Sequence, residues 1–371
     1  MVDIIITRSN SVIYDPRVRK TARSLSKRYS ISILGWNRDR VSKKELTDNY
    51  IVDLKLFNLK SPPIGKWYVI AYWPLFWMWI LINLFVYRPK VVHACDLDTV
   101  LPCYIYKLIF RKRFVFDAYE RYAMAYFPYF PLKLKALYSL VNLFEELFSK
   151  KADVLIVVNE KALRTFRRTP KYCAIIMNCP EDYTIGKTKS EYNDVFTLVF
   201  TGAIVRNRGF EPIIAAIKDL NDVEFVVAGK VIHKELLDQM QVLSNVTYKG
   251  FLSNEDVLAL EGHSDAMVVL YDSKVPQNDF VSPNKFFEAM MFRVPIITNL
   301  APELINDEVG CGIIVDYNNV NQIREAIVRL RDNKELCRRL GNNGRNAYLQ
   351  KYNWKIMEEE LYKIYKYLLG Y

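Results

Sequence analysis

The feature that most constrains this chain is a serial pattern of short, continuous apolar runs rich in β-branched residues, each followed by a helical pattern. In the first half the runs are Ile4-Ile5-Ile6, Ile31-Ser32-Ile33-Leu34, Val91-Val92-His93, Phe114-Val115-Phe116 and Val154–Val158. The second half repeats the pattern with Thr197–Phe200, Phe225-Val226-Val227, Ala266–Leu270, Pro295-Ile296-Ile297 and Gly312–Val315. Unbroken apolar runs between helices are how strands buried on both faces of a parallel sheet read. Each half is therefore expected to be a doubly wound α/β domain. The weakest segment for a core is 180–194, where Pro180, Gly186 and polar residues cluster, and the boundary is placed there. The expected division is 1–185, 191–350 and a final segment 352–371. Apart from this duplicated architecture, no repeat of 20–50 residues is visible.

Charge divides the 371 residues in the same place. Residues 1–190 hold 32 Lys+Arg against 16 Asp+Glu, and residues 191–371 hold 20 against 25, so a half at +16 is joined to a half at −5. Such asymmetry points to an anionic partner for the first half alone. Six scattered cysteines without a C-x-x-C pair argue against a zinc ribbon or disulfide scaffold and for a reducing compartment. Met1 leads straight into a strand-like run without a signal-peptide pattern, so a cytoplasmic location is expected. No nucleic-acid module or basic–aromatic platform is present.

Two stretches depart from an ordinary soluble domain. Residues 68–87 form twenty positions without a charge, crowded with aromatics and interrupted by Pro74 and Asn83. They read first as a buried helix between two strands. An interfacial element lying on a membrane is the second reading, and a true span would split the first sheet. Residues 126–135 set aromatics beside Lys133 and Lys135, which suits either loop packing or membrane contact.

Four motifs carry chemistry. Phe200-Thr201-Gly202 through Arg206, Arg208 and Gly209 reads as a strand, a basic glycine-bounded loop and a helix, the arrangement that binds phosphates at strand ends. Arg206 and Arg208 are candidates to clamp a diphosphate; a solvated basic turn is the plain alternative. In Ser282-Pro283-Asn284-Lys285-Phe286-Phe287-Glu288, Pro283 suits a first helical turn whose amides favour an anion, and Lys285 adds positive charge. Glu288, one turn in, is placed to accept bonds from sugar hydroxyls; otherwise it is a helix-start charge. Asp96 and Asp98 follow one strand and Asp117 and Glu120 close the next, so these acids line a site by topology or simply cap helices. Asp96-x-Asp98 is also the spacing of a metal pair, though no further ligand cluster supports it.

Taken in order, these residues resemble the retaining glycosyltransferases of family 4 (glycosyl transferases group 1), which have the GT-B fold. Asp15-Pro16-Arg17-Val18 resembles the family's DPRV opening, His93-Ala94-Cys95-Asp96 its HAHD, and Asp117-Ala118-Tyr119-Glu120 its D-x-H-E. Asn178-Cys179-Pro180 resembles the N-x-P before the linker, Gly202 with Arg208-Gly209 the phosphate loop, and Ser282–Glu288 the SPNKxxE nucleotide-sugar motif. The sequence departs from the pattern at Phe280, where a second Glu is usual, and at Arg293, where glycine is usual. Cys95 and Tyr119 replace common histidines, and Ser9-Asn10-Ser11 replaces a glycine-rich loop.

The resemblance implies two Rossmann-like domains facing across a cleft, the first binding the acceptor and the second a nucleotide-diphospho-sugar. It implies that Gly202, Arg206, Arg208, Pro283, Asn284, Lys285 and Glu288 bind the donor, with Glu288 on the ribose. Arg208, Lys285 and Asp98 would be catalytic, and Asp15, Asp96 and Glu120 would hold the acceptor. No metal or cofactor is called for, because preorganised positive charge serves the leaving diphosphate. The segment from Tyr352 resembles a helix that crosses back to the first domain. A saccharide or polyprenyl-linked acceptor and peripheral contact with an anionic membrane at its inner face complete the expectation. A nucleotide-sugar epimerase and a non-catalytic sugar-binding protein are the alternatives.

Overall fold

The computed structural model describes residues 2–9, 12, 15–38, 52–61, 67–126, 135–184 and 195–370. The chain forms two units: Met1–Asn178 with Val275–Ser282 and Met357–Tyr371, and Cys179–Lys274 with Pro283–Ile356. The division expected at 185–191 and the loop at 127–134 lie outside the described residues, as do Asn10 and Ser11.

In the first unit the order is β1 (Ile4–Arg8), α1 (Pro16–Ser26), β2 (Ile31–Trp36), β3 (Asp53–Phe57), α2 (Trp73–Tyr87), β4 (Val91–Cys95) and α3 (Leu97–Phe110). Then come β5 (Arg113–Ala118), α4 (Tyr122–Tyr126), α5 (Lys135–Lys151), β6 (Val154–Val157), α6 (Glu160–Arg164) and β7 (Tyr172–Ile175). All pairings are parallel, in the order β3-β2-β1-β4-β5-β6-β7. The strands β1, β2, β4 and β6 are buried at every position. Their continuous apolar runs follow from that, since both faces are covered.

The second unit runs β8 (Phe196–Thr201), α7 (Phe210–Ile217), β9 (Val223–Ala228), α8 (Lys234–Gln241), β10 (Val246–Tyr248), α9 (Asn254–His263) and β11 (Ala266–Val269). It continues with α10 (Asn284–Phe292), β12 (Ile296–Thr298), β13 (Gly312–Ile314), α11 (Val320–Asp332) and α12 (Lys334–Gln350). Its sheet is also parallel, ordered β10-β9-β8-β11-β12-β13. The last helix, α13 (Trp354–Leu369), contributes its residues from Met357 onward to the first unit. There the Tyr362 hydroxyl donates to the Ser24 carbonyl at 3.0 Å, and Lys27 pairs with Glu358 at 2.6 Å.

In both sheets the strand order reverses once, between β1 and β4 and between β8 and β11. Open parallel sheets bind ligands outside the carboxyl ends of the strands at such a point, because the flanking connections leave in opposite directions.

Residues 68–87 do not form the buried helix expected first. Residues 67–72 are a 3-10 turn and α2 follows. Only Trp73, Phe76, Ile80 and Leu84 of α2 are buried, the stripe that lies on the sheet with Trp36 and Phe57. By length and composition alone Tyr68–Tyr87 is long and apolar enough to cross a membrane. As folded, α2 is 15 residues, about 22 Å against a hydrocarbon core of about 30 Å.

Candidate functional site

In the second unit the site starts where β8 ends. Gly202 has φ +147°, and the chain there touches the turn after β9: a Cβ on Gly229 would lie 1.8 Å from the Gly202 carbonyl oxygen. Only glycine allows that approach. One 3-10 turn, Arg206–Arg208, then leads through Gly209 (φ +74°) into α7. A Cβ on Gly209 would meet Leu270, just past β11, at 2.7 Å, so the turn is pressed onto the neighbouring strand across the order reversal. Its backbone is fixed from outside: the Asp272 N–H donates to the Asn207 carbonyl and the Tyr317 hydroxyl to the Arg206 carbonyl, both at 3.1 Å. The Arg208 guanidinium lies 3.5 Å over the Tyr271 ring. Arg206 turns away to an exposed pair with Glu235 at 2.7 Å.

The second element is the start of α10. Pro283 is its cap rather than its first helical residue, with extended backbone (φ −62°, ψ 131°) and no side-chain capping bond, so Asn284 opens the helix. Free first-turn amides and the helix dipole favour an anion there. Lys285 is held between two carboxylates, 2.6 Å from Glu261 Oε1 and 2.8 Å from Glu288. Glu261, fully buried on α9, also accepts from the Thr201 hydroxyl at the end of β8. Burial and the Glu288 charge push the Glu261 carboxyl up, against the pull of Lys285. Burial opposes the Lys285 ammonium, yet Glu288 and Glu261 outweigh it and keep the charge in place.

The reversal point of the first unit carries a ring of ion pairs. Arg8 ends β1 and reaches Asp15 at 2.8 Å and Asp96. Asp15 caps α1, accepting from the Arg17 and Val18 N–H groups at 3.0 and 3.1 Å. Arg17 grips Asp117 with two bonds, at 2.6 and 3.3 Å. His93 Nε2 lies 3.2 Å from Asp117, and its Nδ1 lies 2.6 Å from the Tyr365 hydroxyl of α13. Arg8 and Arg17 both stack on the Tyr119 ring, at 4.4 and 4.6 Å.

Asp96 sits at φ +63°, a strained value for a non-glycine residue, and accepts from the Tyr119 N–H. Burial raises Asp96 to about 7, with Asp98 adding and Arg8 opposing. Asp98 accepts from Ser9, and its other oxygen is buried without a hydrogen-bond partner. Burial lifts its carboxyl as well. Glu120 is exposed beyond β5. The donor atoms of His93, Cys95 and Asp117 lie within 4.8 Å of one another, but Arg17 already supplies the cation on Asp117 and Tyr365 occupies one His93 nitrogen.

Of the expected donor residues, Gly202 and Arg208 lie at the β8–β11 reversal, and Pro283, Asn284, Lys285 and Glu288 open α10. Glu261 ties the two together through Thr201. Arg206 points elsewhere. Of the first-unit residues, Asp15 and Asp96 share Arg8, while Asp98 has its own partner in Ser9 and Glu120 lies outside. Sequence reasoning missed Arg8, Tyr271 and Glu261. A cation ending a central strand was a signal for Arg8; Glu261, inside an unremarkable helix, offered none.

Two parallel α/β sheets, each with charged side chains at its order reversal, define the GT-B class of fold. Solved structures agree over nearly the full length. Sucrose-phosphate synthase from Thermosynechococcus elongatus superposes with a TM-score of 0.78 at 17% identity, covering 99% of both chains. Anabaena HepE in complex with UDP and glucose gives 0.73 at 13% identity, covering 99% of this chain and 100% of that one. Residues 184–347, just under half of the chain, match the family model "Glycosyl transferases group 1". Among curated proteins it is similar to the capsular polysaccharide biosynthesis glycosyltransferase CapM of Staphylococcus aureus, 27% identical over 186 residues. That stretch is 47% of this chain and 46% of CapM, so the chain spans about half the length of that relative.

Proposed function

We propose that the protein is a retaining glycosyltransferase that moves a sugar from a nucleotide-diphospho-sugar to a saccharide or lipid-linked acceptor at the cytoplasmic face of a membrane. The observation that carries this reading is the Glu261–Lys285–Glu288 cluster at the start of α10, tied to the strand that leads into the Arg208 turn. Its geometry fits the two ends of a nucleotide diphosphate: hydroxyls for a carboxylate, phosphates for amides and cations. HepE, similar in fold, holds UDP and glucose, which supports a nucleotide-sugar donor.

In this reading Glu288 accepts hydrogen bonds from ribose hydroxyls, and Lys285, released from Glu288, turns toward the diphosphate. Glu261 keeps the ammonium anchored meanwhile. Arg208, placed over the Tyr271 ring, faces the charge that grows on the leaving group. A cation placed in advance lowers the barrier without reorganising during the reaction. Arg206 takes no direct part while bound to Glu235. Asp98, with one buried oxygen unpaired, is the candidate to touch the transferred sugar. Asp15 and Asp96, with Glu120 at the rim, orient the acceptor.

The epimerase alternative is not favoured, since the family match and CapM are named as transferases. The test is incubation with labelled nucleotide-sugars and a panel of lipid-linked and free saccharides, reading product linkage by NMR. A retained anomeric configuration supports the proposal. An inverted product, or a sugar isomer formed without acceptor, defeats it.

A further inference from the structure

A continuous apolar surface on the first unit remains outside the proposed chemistry. The helix α2 is apolar on every side, a pattern that marks a helix surrounded by apolar material. Yet the side opposite its buried stripe is open: Met78, Ile82 and Val86, one turn apart, are 55%, 56% and 71% exposed. On α3, Leu108 and Ile109 are exposed. On α5, Leu140, Leu143, Phe144 and Leu147 repeat the i, i+3, i+4, i+7 stripe that normally faces a core, and all four are exposed, while Glu145 and Phe148 face inward. These helices are neighbours, α2 on α3 and α3 on α5, over one face of the sheet.

The charges around this layer are one-sided. The acidic residues of the three helices are Asp98, Glu145 and Glu146, and all are buried. Each helix returns the chain to the start of a parallel strand, so their C-terminal ends share one edge of the layer. That edge carries Arg88 after α2, Arg111 and Lys112 after α3, and Lys150 and Lys151 at the end of α5. We propose that the outer face of α2, α3 and α5 docks on an anionic lipid bilayer, its apolar side chains entering the headgroup–acyl boundary and its basic edge meeting lipid phosphates. A second copy of this chain fits less well, because an isologous contact sets a predominantly basic edge against itself, where Asp3, Asp53 and Asp153 are already paired with Lys90, Lys55 and Lys107. The inference deepens the membrane part of the proposed function and rests on it for purpose. Binding is measured without turnover, so either can fail while the other stands.

The experiment is co-sedimentation with vesicles of phosphatidylcholine alone or mixed with phosphatidylglycerol, at low and physiological salt. Binding to the anionic vesicles is expected to be at least about tenfold tighter and to weaken as salt rises. Ile82→Glu and Val86→Glu should each lose about tenfold, with melting temperature and nucleotide-sugar binding retained, while Val242→Glu on the second unit changes nothing. The proposal is overturned by absence of binding to either vesicle or by Ile82→Glu binding like the parent. It is equally overturned by a lipid-free dimer, seen in analytical ultracentrifugation, that Ile82→Glu dissociates.

Discussion

Among the described residues Arg208 forms no ion pair, and its guanidinium lies over the Tyr271 ring. A stacked cation of this kind contributes about 0.5–1 kcal/mol to the fold. Its proposed work on the leaving group is worth far more, on the order of 10²–10³ in rate. Arg208→Ala should therefore slow transfer by about that factor with a melting temperature close to the parent's. A matching fall in both would assign Arg208 a structural role. Lys285 is different in kind. Removing it leaves Glu261 as a buried carboxylate without its cation, a change that costs about 3–5 kcal/mol. Lys285→Ala should thus show a large loss of denaturation midpoint alongside lost activity, and Glu261→Gln in the same chain should recover the midpoint alone. Both cations stood out in the sequence because a strand, a glycine and a helix start framed them. Glu261 did not, since a buried acid in mid-helix has no pattern until its partner is in place.

Among the elements, strands covered on both faces were legible as unbroken apolar runs. The strands that escaped notice, β3, β7 and β10, are all edge strands, only partly buried and mixed in composition. Helix α10 shows a second effect. It ends at Arg293 with φ +60°, where a Cβ-bearing residue is strained, and glycine is the relaxed choice. Arg293→Gly should raise stability by up to about 1 kcal/mol in chemical denaturation. Between α4 and α5, Glu145 accepts from the Tyr122 and Ala123 N–H groups at 2.6 and 3.2 Å, yet burial lifts its pKa from 4.5 to about 7. The folded chain thus holds this proton more tightly than the unfolded one. The group's contribution is present below about pH 4.5 and lost as pH rises toward 7, by up to about 3 kcal/mol. Glu145→Gln should flatten that limb of the stability profile; an unchanged slope would place the titration elsewhere.

For the whole molecule, architecture was the most legible level, because a duplicated alternation of strand and helix leaves few topologies. The balance of α2 was least legible: an apolar segment declares that it avoids water but not whether protein or lipid covers it. Donor identity is likewise a property of the folded site. A screen of nucleotide-sugars by thermal shift should single out one base and one sugar, with about 2.7 kcal/mol of stabilisation at a hundredfold excess over Kd. Equal shifts for all, or none, would count against a specific donor site.

The Tyr365–His93 contact bears on the order in which a nascent chain matures. Residues 357–371 leave the ribosome after all of the second unit, so that unit can close while the first still lacks a piece. Until α13 arrives, His93 and the neighbouring strand ends stay uncovered. A free chain truncated before Met357 should accordingly pair a protease-resistant second unit with a protease-sensitive first.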